Sequence, residues 1–268
     1  MQKFFLILIL LFLSNFATAE SVTTSHGNSD NRVMAHRGSS RTAPENTVSS
    51  IRKAIQDGAG YAEIDLQETA DGVVVLMHDY NVHRTTGINK NMWEIRFEEL
   101  RQASAGEWFN PRFHEEKVPT FEEVVNTAKG NIKLNIELKN NGHQKRLAEK
   151  TVEILKQKHF NHDCVVTSFD VGLLKTVKSL DREIKTGLII GDKPATLENV
   201  LKSQDYEAIS INYTVINQDF IKLAKENHKE VFAWTVNDPK IMSDLLNLGV
   251  NNIITNHPDR LIQLLHKT

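Results

Sequence analysis

Residues 62–79 read AEIDLQETADGVVVLMHD, and the way this stretch folds back on itself organises the rest of the chain. Glu63 and Asp65 alternate with Ile64 and Leu66. In a strand, successive side chains switch faces, so both acids share one face. Two carboxylates side by side at an apolar strand position are costly unless a cation neutralises them. Ala70-Asp71-Gly72 reads as a tight reversal, and residues 73–77 run back as a second strand. That return sets His78 level with Glu63 and Asp65, and an acid pair facing a histidine suits hydrolytic chemistry.

Outward from this hairpin, short apolar runs alternate with amphipathic stretches. Strands are expected at 33–35, 61–66, 132–138, 164–167, 185–190, 208–211, 231–236 and 252–255. Helices are expected at 47–56, 121–128, 144–157, 173–179, near 195–202, at 218–227, at 239–248 and from Pro258 onward. Thr120 with Glu123 three residues on reads as a capping box, and Pro239 suits a first helical turn. Leaving out the return strand, eight strands are each followed by a helix, which implies parallel strands buried beneath helices. That is the pattern and size of an α/β TIM (β/α)8 barrel, with a hairpin and a small insertion, residues 80–119, after the second strand. The insertion is polar, with Trp93, Trp108, Phe109 and one short helix at 97–103. An open doubly wound sheet is the rival architecture, but no Gly-rich phosphate loop follows the first strand.

The N-terminus carries Lys3, an unbroken apolar run at 4–13 and an Ala17-Thr18-Ala19 ending. A positive start, short apolar core and A-x-A end make a secretory signal peptide over 1–19, cleaved after Ala19. The apolar run is short for a spanning helix, so no stable membrane insertion is expected after cleavage, and the protein should be secreted or periplasmic. Residues 20–31, rich in Ser, Thr, Asn and Gly, form a leader before a single domain at 32–268. Net charge is −2, which gives no support for nucleic acid as a partner or for a polybasic membrane patch. Cys164 is the single cysteine, so no intrachain disulfide forms, and it reads as a small core residue.

A barrel puts its active site at the carboxyl ends of its strands. The polar residues at those ends are His36, Arg37, Glu63, Asp65, Glu137, Lys139, Ser168 and Trp234, joined by His78 from the hairpin. Three carboxylates, Glu63, Asp65 and Glu137, suit one hard divalent cation, Ca²⁺ or Mg²⁺, rather than zinc. His36 and His78 are candidates for general acid and base in either order. Arg37 and Lys139 supply positive charge for a phosphate. Phe169 and Trp234 are candidate walls of a substrate pocket, and Trp108-Phe109 could close over it.

These residues carry a resemblance. His36-Arg37-Gly38, the run Ala43-Pro44-Glu45-Asn46-Thr47, Glu63-x-Asp65 and His78-Asp79 resemble the signature of the glycerophosphodiester phosphodiesterase family. The likeness continues through Arg84-Thr85-Thr86-Gly87, Pro119-Thr120-Phe121-Glu122-Glu123, Glu137-Leu138-Lys139, Ala233-Trp234-Thr235-Val236-Asn237 and Ile254-Thr255-Asn256. It implies a TIM-like barrel, a divalent ion on Glu63, Asp65 and Glu137, an acid–base pair at His36 and His78, and phosphate contacts from Arg37 and Lys139. The implied reaction releases glycerol 3-phosphate and an alcohol from a glycerophosphodiester. The same site could serve lysophospholipids or a sphingomyelin-type lipid, given a greasy rim. A periplasmic binding protein without turnover is the non-enzyme alternative, and the intact acids and histidines argue against it. Glu45 and Asn46 are expected to brace the rim.

Overall fold

The computed structural model describes residues 29–191 and 197–267. The expected signal peptide and the leader up to residue 28 lie outside the described residues. In chain order the elements are β1 (Asp30–Ala35), α1 (Val48–Gln56), β2 (Ala59–Glu68), β3 (Val74–Leu76), α2 (His83–Thr86), α3 (Phe97–Gln102) and α4 (Phe121–Ala128). There follow β4 (Lys133–Leu138), α5 (Leu147–Gln157), β5 (Cys164–Ser168), α6 (Val171–Leu180), β6 (Lys185–Ile190), α7 (Leu197–Lys202), β7 (Ala208–Asn212) and α8 (Gln218–Glu226). β8 (Glu230–Trp234), α9 (Pro239–Leu248), β9 (Asn252–Thr255) and α10 (Pro258–Leu265) complete the chain.

Among the described residues, eight of the nine strands run parallel in the order β1-β9-β8-β7-β6-β5-β4-β2, and β1 pairs again with β2, closing a TIM barrel. β3 adds antiparallel to β2, with Leu66 opposite Leu76 and Glu68 opposite Val74. Register carries the site. Asp65 lies directly beside Glu137, and Glu137 beside Thr167. Ala35 is flanked by Ala62 and Thr255, so His36 emerges between Glu63 and Asn256.

The strands are buried on both faces, so their outward residues pack under the helices in one large core. Inside the barrel Met34, Val165, Ala208, Phe232 and Ile254 form a plug with Tyr61 and Trp234. On β1, β2, β5, β7 and β8 the plug residue sits two positions before a residue of the site, one layer deeper along the strand.

Element ends shift from expectation where side chains take backbone donors. β1 begins at Asp30, three residues ahead of Val33, because Asp30 pairs with Ala59 and the carbonyl of Asn31 accepts from the side chain of Asn252. The last two residues of the expected leader are therefore in the sheet. α5 starts at Leu147 instead of 144, since the Glu68 carboxylate accepts from the backbone N–H of Lys145 (2.6 Å) and Arg146 (3.0 Å). α6 starts earlier than expected, capped by Asp170 on the N–H groups of Gly172 and Leu173. The capping box of Thr120 and Glu123 forms as expected, and Pro239 and Gly249 bound α9. The insertion holds more structure than its polarity suggested: α2 and a 3-10 turn join α3. Val82, Met92, Ile95 and Leu100 bury against Val75 and Met77 of the hairpin in a second small core. Among the described residues no helix is long and apolar enough to cross a membrane.

Candidate active site

A cavity of about 170 Å³ opens at the carboxyl ends of the strands. His36, Arg37, Glu63, Asp65, His78, Glu137, Lys139, Phe169 and Trp234 all line it, so the barrel brings the expected residues together. Glu63, Asp65 and Glu137 each offer a carboxylate oxygen within 4.8 Å of the others, and all three are buried. The register between β2 and β4 produces this cluster, which chain distance alone does not reveal.

The surroundings of the three acids are built for negative charge. The Arg37 backbone N–H donates to Glu63 Oε2 (2.8 Å), and Asn46 Nδ2 donates to Asp65 Oδ2 (2.8 Å). Lys139 Nζ reaches Asp65 Oδ1 at 2.9 Å and Glu137 Oε1 at 2.7 Å, and Arg37 Nε sits 3.5 Å from Asp65 Oδ2. Burial works against the ionised form of Asp65, but Lys139 and Arg37 outweigh it and hold the carboxyl well below its usual range. Glu63 goes the other way, raised by burial and then by the charges of Asp65 and Glu137. Burial, with Asp65 beside it, also lifts Glu137 to about 7. One lysine and one arginine therefore do not neutralise the cluster. Three buried oxygen donors short of positive charge fit a hard divalent cation.

The two histidines have different partners. His36 Nδ1 bonds Asn256 Oδ1 at 2.6 Å, and because a carbonyl oxygen only accepts, the Nδ1 carries the proton. Its Nε2 is left bare, 4.0 Å from Glu63 Oε2. Burial first and neighbouring Arg37 second push His36 down to about 4, so the ring is neutral. His78 Nδ1 donates to the Asp79 carboxylate at 2.7 Å. The hairpin sets its height: the Met77 N–H donates to the Asp65 carbonyl at 3.0 Å, immediately before His78.

The rim is locally strained. Arg37 and Asn46 both adopt positive φ, 54° in each, a region that L side chains rarely occupy. Their bonds to Glu63 and Asp65 hold them there. Gly38 has φ 75°, and a Cβ on it would collide with Ser50 at the first turn of α1. Glu45 and Asn46 brace the rim as expected, Glu45 by bonding Arg37 and Asn46 by exchanging two bonds with Asp65.

Phe169 and Trp234 meet edge to face, their ring centroids 6.4 Å apart, and both line the cavity. The Trp234 indole N–H is buried and finds no partner among the described residues. Two expectations fail. Ser168 turns away from the cavity to bond the Leu138 carbonyl (2.8 Å) and the Asp170 N–H (3.0 Å). Trp108 and Phe109 do not line the cavity: the Trp108 N–H is tied to the Ala105 carbonyl (2.9 Å), and its ring lies against Arg84. Asn135, Thr167 and Ser210 line the cavity without having been expected there. Their signal was a polar residue interrupting a buried strand at an inward position. Asn256, which fixes the His36 ring, lies 220 residues from it; it stood in the Ile254-Thr255-Asn256 stretch of the resemblance, but no role was expected of it.

Residues 36–260 match the Glycerophosphoryl diester phosphodiesterase family. The chain is 34% identical to the Bacillus subtilis protein YhdW over 234 residues, covering 86% of this chain and 96% of that one. It is 32% identical to a glycerophosphodiester phosphodiesterase of Caldanaerobacter subterraneus subsp. tengcongensis over 239 residues, 88% of this chain and 98% of the relative. A solved phosphodiesterase of Oleispira antarctica, in complex with the product sn-glycerol-3-phosphate, superposes with a TM-score of 0.83 at 30% identity, covering 88% of this chain and 96% of that one. On this footing the chain belongs to the glycerophosphoryl diester phosphodiesterase family and is a hydrolase of glycerophosphodiesters.

Proposed function

We propose that the protein hydrolyses glycerophosphodiesters to sn-glycerol 3-phosphate and an alcohol, using one Ca²⁺ or Mg²⁺ and the histidine pair His36 and His78. The observation that carries this reading is the convergence of three buried carboxylate oxygens, within 4.8 Å of one another, on a cavity flanked by both histidines. Glu63, Asp65 and Glu137 would hold the ion. When bound, it supplies positive charge that stabilises the phosphate and lowers the pKa of a hydroxyl.

The protein's own groups divide the remaining work. Arg37 and Lys139 stay charged, since their carboxylate neighbours outweigh the effect of burial, and they grip the phosphate oxygens. Neutral His36, its Nδ1–H committed to Asn256, presents a bare Nε2 that accepts the proton of the attacking oxygen. His78, whose Nδ1–H is held by the Asp79 carboxylate, delivers a proton from Nε2 to the departing alcohol. Phe169 and Trp234 wall the glycerol portion, and the unpartnered Trp234 N–H is available to a substrate oxygen.

The test is release of sn-glycerol 3-phosphate from glycerophosphocholine, -ethanolamine, -glycerol and -inositol, before and after exhaustive chelation. Chelation should abolish release, and added Ca²⁺ or Mg²⁺ should restore it; full activity in chelator contradicts the metal role. Because residues 1–19 read as a cleavable signal, the mature protein is proposed to be exported. N-terminal sequencing of the exported chain should begin at Glu20, and an exported chain beginning at Met1 would contradict cleavage.

A further inference from the structure

Arg84 lies on α2 in the inserted segment, its side chain 42% exposed, and it does not line the cavity. Its guanidinium nevertheless bonds two carboxylates at once. Nε donates to Asp79 Oδ2 at 2.6 Å, and Nη2 reaches Asp79 Oδ1 at 3.2 Å. Nη1 donates to Glu45 Oε2 at 2.9 Å, and Nη2 to Glu45 Oε1 at 2.7 Å. Each carboxylate holds a residue of the site in turn. Asp79 accepts from His78 Nδ1 at 2.7 Å, and Glu45 accepts from Arg37 Nη1 at 2.8 Å. An unbroken chain of alternating charge therefore runs Arg37–Glu45–Arg84–Asp79–His78. It joins the loop after β1 to the end of the hairpin. Trp108 closes this chain from the side, its ring 5.6 Å from the guanidinium carbon.

We propose that Arg84 is a positioning residue: with one planar fork it fixes Glu45 and Asp79, and through them sets the phosphate-gripping Arg37 and the proton-donating His78 relative to each other. The fork's five donors in fixed directions explain why an arginine stands here, since a lysine offers a point charge that cannot span both carboxylates bidentately. The Arg84 side chain is 42% exposed, and Glu45 keeps Arg37 as a partner when Arg84 is removed, so the work of Arg84 should show in rate rather than in melting temperature. The inference rests on the acid–base reading of His78, and the experiment separates the two.

Steady-state kinetics and thermal melts would be compared for the wild type, Arg84→Ala, Arg84→Lys and His78→Ala. Arg84→Ala should lower kcat by about tenfold or more, by analogy with the loss of residues that orient metal ligands. Its melting temperature should stay close to that of the wild type. Arg84→Lys should fold normally and recover only part of the loss, and millimolar guanidinium should restore the rate of Arg84→Ala in a saturable way without affecting wild type or His78→Ala. If His78→Ala is crippled while Arg84→Ala and Arg84→Lys stay within twofold of wild type, the positioning role is overturned and the acid–base reading stands. If His78→Ala is nearly normal, the acid–base reading falls and this inference with it. Should Arg84→Ala fail to fold, a fully active Arg84→Lys would be enough to overturn the proposal.

Discussion

The two sides of the mouth hold their histidines by different means. On the barrel side, His36 follows directly from a central strand, is largely buried, and leans on the neutral amide of Asn256. On the hairpin side, His78 stands at the end of an added strand pair, has a third of its side chain exposed, and leans on the carboxylate of Asp79, itself tied to Arg84. An amide partner leaves an imidazole neutral and able to take a proton, whereas a carboxylate partner stabilises the imidazolium as it forms. On the proposed reading, the partner each ring keeps on its far nitrogen would distinguish base from acid.

The strongest attempt to break this comparison removes each ring. His36→Ala and His78→Ala should each lower turnover by roughly 10² or more with the fold retained. Substrates with different leaving groups sharpen the test. If His78 is the acid, its loss should matter far less for a p-nitrophenyl ester of glycerol phosphate, whose leaving group needs no proton, while the penalty at His36 should persist. Equal penalties on both substrates for both variants would reject the assignment.

The barrel was legible because its evidence is local and repeated: each short apolar run is followed by an amphipathic helix, and several element bounds, such as those of β6, α9 and β9, match expectation. The acid cluster was legible because Glu63 and Asp65 share a strand face and Glu137 lies at the carboxyl end of the neighbouring barrel strand. That Glu45 and Asn46 brace the rim was expected, but the partners of the braces were not legible, because they depend on the approach of distant segments. Asn256 reaches His36 only through the pairing of β1 with β9, and Glu45 meets Arg84 only after the insertion folds against the rim. Trp108 misled for the same reason: its ring lies against the Arg84 guanidinium, 5.6 Å away, instead of over the cavity.

A smaller effect concerns pH. Glu137, raised to about 7 from an ordinary 4.5, favours the protonated folded state without cation. That contribution is complete below about 4.5 and is lost as pH rises through about 7. His36 acts in the opposite sense: with its folded pKa lowered from 6.5 to about 4, it takes stability away as pH falls through that interval. The two partly cancel in a plain melt, but the increment in melting temperature caused by added cation does not depend on that cancellation, because an ion held by Glu137, as proposed, would require it deprotonated. The increment should grow from pH 5 to pH 8, and a constant increment would contradict Glu137 as a ligand.

The most direct test of the central claim, one divalent ion held by three carboxylates drawn from β2 and β4, is calorimetric titration of the metal-free protein with Ca²⁺ and Mg²⁺ beside its Glu137→Gln variant. The wild type should bind one equivalent, and Glu137→Gln should bind markedly more weakly with an unchanged melting temperature in chelator at pH 8. Unchanged affinity in the variant, or no binding by the wild type, would contradict it.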